Sequence, residues 1–157
     1  MTDLQFNYKM DKERAYKELE QQAESLFADE TNVLANMSNF CALVHRHFLF
    51  WWTGFYLVEA NQLVLGPFQG PVACTRIDFG KGVCGTAWKT KEIQIVPNVH
   101  EFEGHIACSS VSNSEIVIPI EQNGQFVGVL DIDSEKYNTF DQTDAVYLHK
   151  MLKLIWK

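Results

Sequence analysis

Residues 115–133, with the sequence EIVIPIEQNGQFVGVLDID, decide the fold that we expect for this chain. Two runs rich in apolar and β-branched residues, 115–121 and 125–133, lie on either side of Asn123 and Gly124. Asparagine and glycine both tolerate a positive φ, so this pair is typical of the tight turn of a β-hairpin. The stretch therefore predicts two antiparallel strands joined by a short turn.

Further strands and helices are expected on both sides of this hairpin. Aromatic and β-branched runs between short turns predict strands at residues 51–59, 62–68, 72–77 and 92–96. Apolar residues at helical spacing predict helices at residues 12–27, from a cap at Asp29 or Thr31 to Phe48, at 81–90 and at 141–157. This order predicts an α+β fold, with the terminal helices packed on one face of the sheet and loops over the other.

The length and charge of the chain restrict its class. The 157 residues suit one domain, and 46% of them are hydrophobic, which is enough for a packed core. The net charge is −7 and no run of Lys or Arg occurs, so nucleic acid and anionic membranes are not expected partners. The charged residues 1–20 lack the apolar centre of a signal peptide, and the uncharged stretch 48–58 is too short to span a bilayer. We therefore expect a single domain over residues 1–157 in the reducing cytoplasm.

The four cysteines differ in their sequence context. Cys41 lies on the apolar stripe of the second predicted helix and is expected to be a core residue. Cys74 lies in a predicted strand, Cys84 in a glycine-flanked turn of helix, and Cys108 in a long polar loop at residues 97–114. A loop of this length in a compact domain is usually functional or disordered. In a cytosolic chain, such cysteines favour thiol chemistry, a metal site or core packing over structural disulfides.

Three interpretations of Cys74, Cys84 and Cys108 are open at this point. A zinc ion would take His100 or His105 as a fourth ligand, although the spacings contain no Cys-x-x-Cys pair. Three unrelated buried thiols would have no chemistry. In a redox relay, one thiol attacks an oxidised substrate and becomes a sulfenic acid, and a second thiol condenses with it to a disulfide. His105, three residues before Cys108, either helps to activate that thiol or only bonds the loop backbone.

Carboxylates and aromatic residues suggest a pocket near these thiols. Asp131 and Asp133 project from one face of their strand, and Glu115 opens the neighbouring strand of the hairpin. Crowded carboxylates raise one another's pKa, so that one of them can stay protonated near neutral pH. The alternative is that all three end their strands in solvent. Strand alternation places Trp52 and Tyr56 on one face, where an aromatic ring suits a thioether or sulfoxide methyl group.

Three blocks of sequence join these residues into one pattern. They are LVLGPFQGPVACTRIDFGKGVCGTA at 63–87, VPNVHEFEGHIACSSVSNSEIVIPI at 96–120 and FVGVLDIDS at 126–134. In order and spacing, residues 51–144 resemble the free methionine-(R)-sulfoxide reductases, a family of enzymes with the GAF fold. The resemblance implies a GAF-like single domain that reduces free L-methionine-(R)-sulfoxide rather than oxidised residues within proteins.

The resemblance also implies roles for single residues. Cys108 matches the nucleophile of the family, Cys74 its principal resolving partner and Cys84 a second recycling thiol. The carboxylates that hold the substrate and polarise its sulfoxide oxygen in the family are matched by Glu115, Asp131 and Asp133. The aromatic residues of the family's pocket are matched by Trp52 and Tyr56. The family implies no metal or bound cofactor, and thioredoxin supplies the reducing equivalents.

The sequence departs from the family pattern at a few positions, and other functions stay open. Ser109 follows Cys108 at a position where Asp is common in the family, and this change affects the charge beside the thiol. Glu103 and Glu135 occupy positions where Pro is common, and these changes affect only the stiffness of the loops. The alternative to turnover is a GAF-type sensor that binds a small ligand or reports oxidant through its thiols. An exposed aromatic or apolar helix face often drives the formation of homodimers, so self-association through the terminal helices is a further expectation.

Overall fold

The structure of the protein is a computed structural model that describes residues 8–157. The helices are Tyr8–Phe27 (α1), Val33–Phe48 (α2), Gly82–Thr90 (α3) and Gln142–Leu152 (α4). The strands are Trp52–Glu59 (β1), Gln62–Gln69 (β2), Arg76–Asp78 (β3), Gln94–Val96 (β4), Ser114–Gln122 (β5) and Gln125–Ser134 (β6). The expectation that the chain starts without a signal peptide falls partly on residues 1–7, outside the described residues.

The strands form one antiparallel sheet in the order β3-β2-β1-β6-β5-β4 within the described part of the chain. The β5–β6 hairpin turns at Asn123 and Gly124, whose φ values are 53° and 74°. Both values are positive, as a tight hairpin turn requires, and these two residue types tolerate them best. The predicted hairpin is therefore confirmed, and it lies near the centre of the sheet because β6 pairs with both β1 and β5.

One face of the sheet is covered by α1, α2 and α4. Tyr16, Phe40 and Leu148 from these helices are fully buried in one cluster with Phe55 of β1. Cys41 of α2 belongs to the same cluster and is also fully buried, so its prediction as a core residue is confirmed. The predicted α+β fold with terminal helices on one face is confirmed as well. Among residues 8–157, no helix combines the length and the apolar character needed to cross a bilayer.

The opposite face of the sheet carries a second apolar cluster. Tyr56 and Val129 of the sheet pack there with Val83 and Ala87 of α3. The long connection between β4 and β5, which contains a 3-10 turn at Val99–Glu101, lies over the same face. The sheet therefore separates the helical layer from the loops that carry the candidate functional residues.

A buried ion pair fastens α1 to the start of α4. The Lys12 ammonium lies 2.6 Å from one Asp144 carboxylate oxygen, and the Tyr16 hydroxyl donates to the other at 2.6 Å. Asp144 also accepts from the backbone N–H of Asp141, whose own side chain caps α4. A single carboxylate therefore satisfies polar groups from two helices.

Replacing Asp144 by alanine is expected to lower the free energy of unfolding by about 3 kcal/mol, because removing one partner of a buried ion pair leaves the other charge poorly compensated. Chemical denaturation followed by circular dichroism measures this difference. Arg14→Ala is the control, since the ion pair of Arg14 with Glu18 is exposed and its loss should cost less than about 0.5 kcal/mol. Equal losses in the two variants would contradict this account of Asp144.

Two predictions about local structure are wrong. The cap of α2 is Asn32, whose side-chain oxygen accepts a backbone N–H of the first turn, rather than Asp29 or Thr31. Cys74 lies before β3 and not within a strand. Its carbonyl accepts a hydrogen bond from the Tyr56 hydroxyl at 2.8 Å, which draws Cys74 toward the face of the sheet that carries Tyr56, and pairing with β2 resumes at the Thr75 carbonyl.

The ends of two elements also differ from expectation. Strand alternation predicts that Trp51 shares the helix-covered face with Phe55, but β1 begins only at Trp52, and Trp51 packs against the opposite cluster. The last helix ends at Leu152 and not at residue 157. Over residues 153–155, backbone N–H groups bond the carbonyl three residues earlier, and this tighter pattern ends the α-helix.

Candidate active site

Strand register brings the predicted site residues together on the face opposite the terminal helices. Glu115 of β5 lies directly across from Asp133 of β6, and Trp52 of β1 lies across from Asp133 on the other side. Asp131 shares the face of Asp133, and Tyr56 shares the face of Trp52. Three adjacent strands therefore present three carboxylates and two aromatic rings to one side of the sheet.

These side chains line a cavity of about 60 Å³ between the sheet, α3 and two overhanging segments. The overhanging segments precede β3 and β5, and they contribute Pro71, Val72, Ala73, His105, Ile106, Cys108, Ser109 and Ser112 to its walls. Of the sequence-predicted site residues, Cys84 also lines the cavity. Cys74 reaches it through its bond to Cys108.

The indole of Trp52 forms an aromatic wall of this cavity. It stacks with the rings of Tyr56 and Phe68, whose centroids are 5.8 Å and 5.3 Å away, and its Nε1–H donates to the Pro71 carbonyl at 3.0 Å. The ring also fills the space beside Gly54, where a Cβ would lie 2.3 Å from an indole carbon. Any side chain at that position would displace the indole, so Gly54 is needed for the shape of the wall.

Burial governs the protonation of the three carboxylates. Burial, with the charges of Asp131 and Asp133, raises the pKa of Glu115 well above its ordinary value. Burial raises the pKa of Asp131 to about 6, although hydrogen bonds from Glu115 and Cys84 oppose this shift. Burial and the charge of Asp131 also raise the pKa of Asp133, against a hydrogen bond from Ser112 at 2.8 Å. The set therefore retains a proton near neutral pH.

Cys84, in the first turn of α3, is the buried thiol of this site. It is 3% exposed and forms no disulfide. Burial, with the charges of Asp131 and Glu115, raises the pKa of this thiol well above its ordinary value. One ligand atom each from Cys84, Glu115 and Asp131 lies within 4.8 Å of the other two, a grouping that can hold a metal ion.

A disulfide joins Cys74 to Cys108 at the rim of the cavity, with the two Cα atoms 5.5 Å apart. Cys108 is exposed, whereas Cys74 is half-buried. The hydrogen bond from Tyr56 to the Cys74 carbonyl connects this rim to the aromatic wall. Because the two cysteines are bonded to each other, they are not ligands of a shared structural zinc ion in this form.

Two polar side chains of the long loop extend the site. His105 Nε2 lies 3.9 Å from Glu115 Oε2, so this histidine faces the carboxylates and not only the loop backbone. Burial, with a smaller effect of His100, lowers the pKa of His105, which keeps the imidazole neutral near pH 7. Ser112, which is buried, donates to Asp133. Sequence reasoning missed Ser112, and the available signal was a serine-rich loop leading directly into the strand that carries Glu115.

Known proteins share this fold and much of this sequence. The GAF domain profile matches residues 38–157. The GAF domain-containing protein A of Dictyostelium discoideum is 53% identical over 98% of this chain and 97% of its own length. The free methionine-R-sulfoxide reductase of Escherichia coli is 44% identical over 94% of this chain and 90% of its own length. The chain belongs to the free methionine-R-sulfoxide reductase family.

A solved structure of a member of this family agrees closely with the present fold. The free methionine-R-sulfoxide reductase from Neisseria meningitidis, in complex with its substrate, superimposes with a TM-score of 0.87 at 50% identity. The match covers 89% of this chain and 85% of that one. Membership of the free methionine-R-sulfoxide reductase family, inferred from three sequence blocks, is thus confirmed by sequence and by fold.

The departures from the pattern of the reductase family lie in the connections around the cavity. Ser109 lines the cavity, and its hydroxyl accepts a hydrogen bond from the Val111 N–H at 3.2 Å. A serine at this position therefore bonds within its own loop and adds no charge beside Cys108. Glu103 and Glu135 are exposed and lie outside the cavity lining, so they leave its walls unchanged.

Proposed function

We propose that the chain reduces free L-methionine-(R)-sulfoxide to methionine. The observation that carries this proposal is the convergence of Cys108 with three carboxylates, Glu115, Asp131 and Asp133, on one small cavity. The relative from Escherichia coli is named for this reduction, and the Neisseria meningitidis structure contains its substrate, which supports the same assignment here.

A small zwitterionic amino acid suits the charges and walls of this cavity. Asp131 and Asp133 offer carboxylate oxygens to its ammonium group, and the rings of Trp52 and Tyr56 offer an apolar surface to its methyl group. Lys81, at the N-terminus of α3, also lines the cavity and suits the carboxylate of the substrate together with the free backbone N–H groups of that helix.

The chemical step needs a thiolate and a proton donor on the same sulfoxide. The Cys108 thiolate attacks the sulfoxide sulfur, and Glu115, kept protonated by burial and its neighbouring carboxylates, gives its proton to the sulfoxide oxygen. The resulting hydroxyl passes to the Cys108 sulfur as methionine leaves. The substrate sulfur gains two electrons, the cysteine sulfur loses two, and Cys108 becomes a sulfenic acid.

Regeneration begins when Cys74 condenses with this sulfenic acid. Water leaves, and the product is a Cys74–Cys108 disulfide like the one in the structure. Cys84, which is buried and unbonded in this form, takes the second recycling role. A dithiol must then supply two electrons and two protons to restore both thiols. We assign this step to thioredoxin in the reducing cytoplasm.

The rim around the disulfide supports a protein as the reductant. Cys108 is exposed, and the apolar side chains of Val72 and Ile106 beside it are 89% and 40% exposed. An apolar surface around an accessible sulfur favours the docking of another protein. A small reductant can reach the sulfur without such a surface.

Purified protein with dithiothreitol is expected to convert the R epimer of free methionine sulfoxide and to leave the S epimer unchanged. The Cys108 thiol, the Glu115 proton donor and the aromatic wall that binds the methyl group have fixed positions. Only one configuration at the substrate sulfur therefore places the sulfoxide oxygen near Glu115. Chromatography of the amino acids measures both conversions. Turnover of neither epimer would instead favour a GAF-type sensor. Among sensors, disulfide formation with peroxide would then indicate one that reports oxidant through its thiols.

Replacing Val72 by aspartate is expected to slow reduction of the Cys74–Cys108 disulfide by thioredoxin about tenfold, because a charge would enter the apolar docking surface. Turnover with dithiothreitol should fall much less, since this reductant needs no docking surface and Val72 only borders the cavity. Val146→Asp is the matched control, because Val146 is 62% exposed on α4, across the sheet from the site. An equal loss with both reductants would contradict a docking role for Val72.

A further inference from the structure

A sulfur atom and two carboxylates converge at the buried side of the cavity. Ligand atoms of Cys84, Glu115 and Asp131 all lie within 4.8 Å of one another, and each residue is at most 6% exposed. The proposed reduction uses Glu115 as an acid and Asp131 as a partner of the substrate ammonium group. The close approach of Cys84 to both carboxylates has no role in the chemical step of this proposed reduction.

A second observation points to a positively charged ligand at this cluster. Asp131 Oδ1 is buried, lines the cavity and has no hydrogen-bond partner among the described residues. A buried carboxylate oxygen without a donor is costly in a folded protein, and a bound cation is one partner that removes this cost. A substrate ammonium group is one such ligand, and a metal cation is another.

A fourth donor faces the same cluster from the long loop. His105 lines the cavity, and its Nε2 lies 3.9 Å from Glu115 Oε2. Zinc favours four-coordinate sites built from thiolate, imidazole and carboxylate, whereas magnesium and calcium favour oxygen ligands alone. The donors of a tetrahedral zinc site lie roughly 3.5 Å apart. The ligand atoms of Cys84, Glu115 and Asp131 are close to this spacing, and His105 would have to turn its ring from Glu115 toward the ion to join them.

We propose that Cys84, Glu115, Asp131 and His105 bind a thiophilic divalent cation, with Zn²⁺ as the ion that fits best. Binding releases the thiol proton of Cys84 and the carboxyl proton of Glu115 to solvent, so that three anionic ligands and a neutral imidazole surround the ion. The ion takes the carboxylates assigned to the substrate. If the proposed function holds, Zn²⁺ is therefore an inhibitor that competes with methionine sulfoxide.

Titration of the oxidised protein with Cd²⁺ tests this site through the thiol itself. Once the Cys74–Cys108 disulfide has formed, Cys41 and Cys84 are the remaining thiols of the four cysteines. An ultraviolet thiolate-to-cadmium charge-transfer band therefore comes from one of these two. We expect the band to saturate at one Cd²⁺ per chain and to disappear when Zn²⁺ is added in excess.

Two cysteine variants assign the band. It should persist in Cys41→Ser, where a serine hydroxyl can keep the hydrogen bond that Cys41 donates to the Pro67 carbonyl, and it should be lost in Cys84→Ser. A band that survives in Cys84→Ser would overturn the proposal. Should that variant fail to fold, Glu115→Gln gives the test instead, and an unchanged Cd²⁺ affinity in Glu115→Gln would overturn the proposal equally.

Calorimetric titration with Zn²⁺ tests the histidine. His105→Asn should weaken binding about tenfold or more, because it removes a direct ligand. His100→Asn is the control, since His100 is bonded to Asn113 at the surface and is outside the cluster. Equal Zn²⁺ affinities in the two variants would show that His105 is not a ligand of the ion. None of these titrations requires turnover, so their outcome is independent of whether the chain reduces methionine sulfoxide.

Discussion

Cys108→Ser is expected to lower the reduction of free methionine-(R)-sulfoxide by at least about 10⁴-fold, because a serine hydroxyl stays protonated at neutral pH and cannot accept the oxygen as a sulfenic acid. Thiol counting without added reductant gives the sharpest measurement. In the reduced parent protein, one equivalent of substrate should consume two thiols as the Cys74–Cys108 disulfide forms. In the variant, it should consume none.

Two further substitutions make this result specific. Cys41→Ser should leave turnover unchanged, because burial on the helical side of the sheet raises the pKa of Cys41 to about 12 and keeps this thiol protonated. Cys74→Ser should still release one equivalent of methionine. Mass spectrometry should then detect Cys108 as a sulfenic acid, or as a disulfide with Cys84 where that thiol takes its recycling role. Full activity in Cys108→Ser would instead assign the nucleophile to Cys84 or Cys74.

Asp133→Asn is expected to lower kcat/KM about 10²-fold while the fold persists, because an amide cannot ionise to pair with the substrate ammonium group, whereas the Asp133 carboxyl group can. Asparagine can still accept the hydrogen bond from Ser112, which is 2.8 Å long in the parent, so the local geometry is retained. Steady-state kinetics with the R epimer measure this loss. Unfolding of the variant would show that the carboxylate is structural.

The same substitution is expected to increase stability at pH values above the raised pKa of Asp133. The folded-state pKa of Asp133 is raised by burial and by Asp131, so between its ordinary and its raised pKa the unfolded chain binds fewer protons than the folded chain. The free energy of unfolding of the parent therefore falls as the pH rises through this window. Asparagine removes that cost, so the gain of Asp133→Asn should be largest above the raised pKa and should shrink as the pH approaches about 4.

Denaturation at several pH values checks this sign. Asp78→Asn is a suitable control, because Asp78 is exposed on the edge strand β3 and should give little change in stability at any pH. A stability gain confined to low pH would contradict the account of Asp133. Lower activity together with higher stability would indicate that the site retains a buried charge because its function requires it.

The site could be predicted from sequence where local rules determine geometry. The turn at Asn123 and Gly124 fixes the pairing of β5 with β6, and the period of two along each strand then fixes which side chains share a face. Asp131, Asp133 and Glu115 therefore had to converge once the hairpin formed. The aromatic wall followed from the same alternation along β1.

The remaining features depend on contacts between segments distant in sequence. Cys74 leaves its expected strand because the Tyr56 hydroxyl and the Cys108 sulfur both bind its segment, and neither contact leaves a periodic signal. Trp51 changes sides because β1 starts one residue later than its aromatic run. The support that Ser112 gives to Asp133 depends on the path of the long loop over the sheet, which residue spacing does not encode.

The covalent link between the two overhanging segments has a consequence for the whole chain. It spans 34 residues of sequence and encloses α3. A cross-link of this span lowers the conformational entropy of the unfolded chain, which raises the free energy of unfolding by roughly 4 kcal/mol. In the proposed cycle, every turnover thus converts the protein from the reduced form to the disulfide-bonded form, which is more resistant to heat, and back. We therefore expect the oxidised form to resist proteolysis longer than the reduced form.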